Sequence, residues 1–187
     1  EKWKDARMKW HKNPGFDESG YRFHVHDKLA HYANAAVDIE YEFPIGFKEL
    51  EGIHSRTDFD LSQHQKFSNK KIQYYDPETN ENYVPYVVET SIGLDRMFLC
   101  VLSNAFTEEK LENNETRTVL NIPPPLAPVQ LAILPLVRKD NLPKKATEIF
   151  NQLKFDFNCK YEEKDSIGKR YRRQDAIGTP FCITIDH

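Results

Sequence analysis

The chain has 187 residues, 39% of them hydrophobic and 29% charged, with a formal net charge of −3. That length suits one large or two small domains with a real core, and the charge supplies no global pull toward nucleic acid, so RNA contact would need a local basic patch. No window approaches the ~18 apolar residues of a membrane span, and the separated Cys100, Cys159 and Cys182 fit neither a disulfide framework nor a paired-Cys metal site. We therefore expect a protein of the reducing cytoplasm without membrane contact.

The chain opens on EKWKDARMKWH, with neither an initiator Met nor the layout of a signal peptide, and closes on PFCITIDH inside a strand-like run. Both ends read as cut, so a piece of a longer chain is expected. In FHVHDKLAH, His24, His26 and His31 have spacing that recruits zinc, but no Cys or further His lies nearby in sequence to complete a tetrahedral set, and no metal site is predicted. AAVDIEYEFP alternates as a strand does, which puts Asp38, Glu40 and Glu42 on one face, read as solvated rather than as a catalytic carboxylate cluster. KKIQYYDPETNENYVPY reads as two strand edges joined by an Asp-Pro turn, with Tyr74, Tyr75, Tyr83 and Tyr86 as strand packing. YVPYVVET is a further strand, and the pattern to this point is antiparallel.

The junction VVETSIGLDRMF passes from strand to helix. With Thr90 or Ser91 as N-cap, Leu94, Met97, Phe98, Val101, Leu102 and Ala105 form one helical stripe. Arg96 falls roughly 160° from the centre of that stripe at ~100° per residue, so its guanidinium can turn away from the packing face. Gly93 keeps the first turn bare for a flat ligand, a helix start favours anions, and the arginine fork suits phosphate oxygens. A surface pairing of Arg96 with Glu89 or Asp95 is the alternative.

The run NIPPPLAP cannot sit inside a helix or central strand, and we place a domain boundary there. After it come strand VQLAILPLV, helix LPKKATEIFNQLK, strand FNCKYEE, helix GKRYRRQDAIG and strand PFCITI, an alternation that predicts a small α/β domain with parallel pairings. Lys169, Arg170, Arg172 and Arg173 form the local basic patch, open to two readings: a phosphate-backbone contact or a solvated helix face.

SIGLDR resembles the third signature motif of the class II aminoacyl-tRNA synthetases, with Ser91 where most of the class carries a glycine. Residues 26–64 resemble the dimeric glycyl-tRNA synthetases, and LAPVQLAILPLV with GKRYRRQDAIGTPFCITID resembles the anticodon-binding domain of that family. The resemblance implies an α/β (α+β) fold: a class II antiparallel sheet with packed helices over 1–122, the end of a catalytic domain, then a truncated anticodon-binding domain with a mixed sheet over 123–187. It implies a ligase that joins glycine to tRNA(Gly) through an adenylate, using ATP and Mg²⁺, as a homodimer. It places Glu89, Thr90, Ser91, Ile92 and Gly93 at the glycine, Glu49, Leu50, Gly93, Leu94, Asp95 and Arg96 at ATP, and Arg96 as the catalytic cation. The first two class II motifs are not found in the chain, so these 187 residues alone are expected to be inactive. A non-catalytic RNA-binding module that retains a synthetase-like core is the alternative, and the intact Glu89, Ser91 and Arg96 argue against it.

Overall fold

The computed structural model describes residues 1–13, 18–112 and 114–187. The chain forms two compact units, Glu1–Cys100 and Val101–His187.

The first unit is built on a four-stranded antiparallel sheet. Its strands are β1 (Tyr21–Val25), β2 (Ala35–Phe43), β3 (Gly46–Ser55) and β6 (Val88–Ile92), in the order β1-β2-β3-β6. Helix α1 (Lys2–Lys12) precedes them, and between β3 and β6 come α2 (Phe59–Ser68) and a small hairpin of β4 (Tyr74–Asp76) and β5 (Glu81–Tyr83). Helix α3 (Leu94–Ala105) follows β6, and the division between the units falls within it.

Strand alternation sorts the two faces of this sheet. Tyr21, Ile39, Tyr41 and Ile53 are buried. On their side α1 sends Arg7 and His11 to the buried carboxylate of Glu51, at 3.1 Å from Arg7 Nη2 and 2.6 Å from His11 Nε2. Burial pushes that carboxyl up, but the hydrogen bonds from His11 and Arg7 outweigh it and hold Glu51 below its ordinary value. A β-bulge where Ile39 and Glu40 meet β3 shifts the register, so Gly52 faces Asp38 and Glu49 faces Glu40.

Three local expectations are corrected here. Asp38 is not on a solvated face: it is 7% exposed and its Oδ2 lies 2.8 Å from His26 Nε2, because the third strand and the segment after β1 close over it. Thr90 and Ser91 are strand residues rather than caps, and the first helical hydrogen bond of α3 runs from Met97 N–H to the Gly93 carbonyl. The apolar stripe of α3 packs unevenly: Leu94 and Phe98 are exposed, whereas Ala105 is fully buried, as is Cys100, which lies off the stripe. The packing face therefore begins later than the periodicity suggests. Of the tyrosines, only Tyr74 and Tyr83 face each other across the β4–β5 ladder, as an edge-to-face pair, and all four are exposed.

The second unit holds hairpin β7 (Phe106–Lys110) and β8 (Thr116–Leu120), then β9 (Leu131–Pro135), α4 (Leu142–Leu153), β10 (Cys159–Tyr161), α5 (Ile167–Ile177) and β11 (Phe181–Ile185). The three strands after the prolines pair in the order β10-β9-β11, and both pairings are parallel. A mixed sheet was expected. Each of these strands is joined to the next through a helix, the connection that parallel neighbours require, and the antiparallel pair of this unit is the separate β7–β8 hairpin. β9 is buried along its whole length, as the central strand of a covered parallel sheet should be. Ile149, Phe150 and Leu153 of α4 pack with Ala146 over Leu131 and Ile133.

The hairpin is tied to α5. Arg117 Nη1 lies 3.0 Å from Asp175 Oδ2, and Gly178 closes α5 in the left-handed conformation at φ 77°. A Cβ at Gly178 would sit 2.6 Å from Ile122 Cδ1, so both φ and space require glycine there.

The basic patch divides. Arg170 is 2% exposed and donates to the carbonyls of Pro135, Leu136 and Glu162, tying strand ends together. Arg173 pairs with Glu162 and Asp165. Lys169 and Arg172 are the exposed members.

Candidate active site

The β3–β6 ladder positions the site. It pairs His54 with Glu89 and Gly52 with Ser91, and directly opposed residues point to the same face. Glu89 and Ser91 therefore stand with Gly52 and His54 on the face opposite to the one that carries Glu51. Thr90 and Ile92 alternate onto the other side, opposite Ile53 and Glu51.

Glu49, Leu50, Ser91, Ile92, Gly93, Leu94, Asp95 and Arg96 line one open cleft of about 490 Å³. Leu50 is buried and forms its floor, whereas Arg96 and Glu49 stand half exposed on its wall. Arg96 Nη1 donates to the Glu49 carbonyl at 2.6 Å and lies 3.5 Å from the Glu49 carboxylate. Its partner is thus neither Glu89 nor Asp95, since the start of α3 sets the guanidinium beside the β3 bulge. A Cβ at Gly93 would meet nothing closer than 3.9 Å, and that nearest neighbour is Arg96's own Cβ.

Glu89 and Thr90 border a second, adjoining cleft with Arg56, Asp60, His64, Val87 and Val88. Arg56 is the residue there that sequence reasoning missed. Its Nη1 meets Glu89 Oε2 at 2.5 Å, its other nitrogens grip Asp60 at 2.6 and 3.1 Å, and its guanidinium stacks 4.1 Å from the centroid of Tyr32. The hydrogen bonds to Asp60 and then to Glu89 raise Arg56 further above its already high value, and Arg56 in turn lowers Asp60. The spacing of Arg56 and Asp60, four apart around the start of α2, was visible in sequence. The third partner, 33 residues on, was not.

His54 was missed as well. Its Nδ1 lies 3.9 Å from Glu89 Oε2, and it stands within one ligand cluster with His26 and Asp38. His24 stacks edge-on against His26, and His31 packs against Tyr32 and Phe59, so the sequence-local histidine trio is not a unit.

Ser91 places a hydroxyl in the strand between the Glu89 carboxylate and the start of α3, where Arg96 carries its guanidinium.

Residues 130–187 match the family model described as the anticodon binding domain. A glycine–tRNA ligase of Chlorobaculum tepidum is 52% identical over 188 aligned positions, covering 100% of this chain and 40% of the relative. One of Borreliella burgdorferi is 55% identical over 170, covering 89% of this chain and 38% of the relative. Among solved structures, Giardia lamblia prolyl-tRNA synthetase in complex with prolyl-adenylate superposes with a TM-score of 0.56 over 82% of this chain and 30% of its own, at 21% identity, a likeness of fold. The chain spans about two fifths of the length of the curated relatives it matches. From end to end, about half of this chain's residues are identical to those of curated glycine–tRNA ligases, over the part of those proteins that it matches.

Proposed function

We propose that this chain carries part of the active site of an ATP-dependent glycine–tRNA ligase, with residues 1–122 as the end of the catalytic domain and 123–187 as the anticodon-binding part that engages tRNA(Gly). One observation carries the reading: the β3–β6 register and the start of α3 put Arg96 and Glu49 on the wall of a cleft that continues into Ser91, next to Glu89.

In the reaction, a glycine carboxylate oxygen attacks the α-phosphorus of ATP and pyrophosphate leaves. A terminal ribose hydroxyl of tRNA then attacks the glycyl carbonyl and AMP leaves. No protein nucleophile is needed, so the residues position reactants and neutralise charge. Arg96 presents its guanidinium to phosphate oxygens. Gly93, at which neither φ nor packing demands glycine, leaves the backbone bare on the nucleotide's side. Leu50, Leu94 and Asp95 complete the nucleotide wall. Glu89 accepts the ammonium and Ser91 adds a directional partner, with Gly93 and the strand backbone at Thr90 and Ile92, whose side chains turn to the other face, completing the pocket. Arg56 holds the Glu89 carboxylate in place until the ammonium arrives.

The Glu49 and Asp95 carboxylates are hard oxygen donors of the kind Mg²⁺ takes alongside substrate phosphates. An ion held there would supply charge neutralisation at the triphosphate. Lys169 and Arg172 are the exposed cations of α5 available to tRNA phosphates. The working enzyme is a cytoplasmic homodimer in this reading, and no helix among the described residues is long and apolar enough to cross a membrane.

Glycine-dependent exchange of pyrophosphate into ATP tests the proposal. The enzyme that contains this stretch should catalyse it with glycine and not with alanine, since a site for glycine can exclude every larger amino acid by steric clash. Absence of exchange in an enzyme that still binds tRNA(Gly) would favour the RNA-binding module.

A further inference from the structure

We propose that His26, Asp38 and His54 form a binding site for a divalent transition-metal ion, with Zn²⁺ as its natural occupant. Among the described residues this is the one group of three metal-ligating side chains whose donor atoms converge, all within 4.8 Å of one another. Asp38 and His54 come from the neighbouring strands β2 and β3, and His26 directly follows β1. Gly52 pairs with Asp38 and stands two residues from His54, and His24 pairs with Asp38 two residues before His26, so alternation puts all three ligands on one face of the sheet. Cross-strand ladders hold the backbones of Asp38 and His54, and His26 N–H bonds to the Ala36 carbonyl at 3.3 Å, so the ligands are pre-positioned.

Two further features fit a metal. A Cβ at Gly52 would lie 3.2 Å from His54 Cε1 and 3.6 Å from Asp38 Oδ1, so glycine keeps open the space between the ligands. Glu89 Oε2 stands 3.9 Å from His54 Nδ1, longer than a hydrogen bond, so that a closer approach on metal binding would let it orient the imidazole and leave Nε2 for the ion. Two imidazoles and one carboxylate suit zinc rather than calcium or magnesium, which take oxygen shells. Three protein ligands leave a fourth position for water or substrate. Asp38 is buried while both imidazoles are part-exposed, which gives the ion an entry path.

The test is metal binding by the chelator-treated protein and does not depend on ligase activity. Titration with Zn²⁺ should show one equivalent bound, and Co²⁺ should give the visible absorption of a four-coordinate site. His54→Gln, at a part-exposed position that should leave folding intact, should weaken binding by about 100-fold or more, and Asp38→Asn likewise. Glu89→Gln, which acts through His54, should weaken it by about 10-fold. His31→Gln, which lies outside the cluster, should change nothing. Failure of the wild-type protein to bind either ion stoichiometrically, or binding that His54→Gln leaves unchanged, overturns the proposal and leaves the trio as a hydrogen-bonded network.

Discussion

Glu89 Oε2 is shared by Arg56, which meets it at 2.5 Å, and by His54, whose Nδ1 stands 3.9 Å away as its direct partner across the β3–β6 ladder. One carboxylate thus connects the proposed ammonium pocket to the His26–Asp38–His54 group.

Glu89 should set glycine capture rather than nucleotide binding. In the full ligase that contains this stretch, Glu89→Gln is expected to raise KM for glycine by about 10-fold or more while KM for ATP stays within about twofold, because a charge-assisted hydrogen bond is exchanged for a neutral one. Arg56→Ala should shift the same parameter more weakly. An equal rise in both KM values would remove Glu89 from the glycine pocket.

Arg96→Ala should lower glycine-dependent pyrophosphate exchange by about 10² or more, the typical contribution of a preorganised group aimed at developing charge. Arg96→Lys should recover little of it, since a point charge cannot both donate to the Glu49 carbonyl and fork onto phosphate oxygens. The 187 residues alone should show no exchange if groups outside them are needed to hold ATP and glycine in line.

Glu51 should make stability pH-dependent. Its carboxyl is held below the ordinary value of 4.5 in the folded chain, so its stabilising contribution is present above that value and is lost as pH falls through the lower folded one. Glu51→Gln should cost about 3 kcal/mol near neutral pH, since it strips the anion from Arg7 and His11 in a buried setting, and should flatten the acid limb of a denaturation series. An acid limb as steep as wild type would assign the effect to other carboxylates.

The two glycines should part company. Gly178→Ala is expected to destabilise by about 2 kcal/mol, through a strained positive φ and a clash with Ile122. Gly93→Ala should leave the thermal midpoint unchanged and weaken ATP binding. Equal thermal losses in both would mean that Gly93 is structural.

The alternation after the prolines that became β9, α4, β10, α5 and β11 was legible in the residues alone, whereas α1, α2 and the β7–β8 hairpin were not read from them. The junction that places Gly93 and Arg96 at the start of a helix beside a strand end was legible too. These two features rest on periods of two and of about 3.6, which a chain carries locally. Tertiary structure decided the rest. The register of β3 against β2 and β6 selects Asp38 and Glu89 as neighbours of His54, and a bulge near Glu40 sets which carboxylate meets Arg96. Packing turned Arg170 from a surface cation into a buried tie between strand ends. None of these has a local signature, because pairing partners are chosen by the burial of a whole sheet face and lie 33 residues apart for Arg56 and Glu89, and 47 for Glu49 and Arg96.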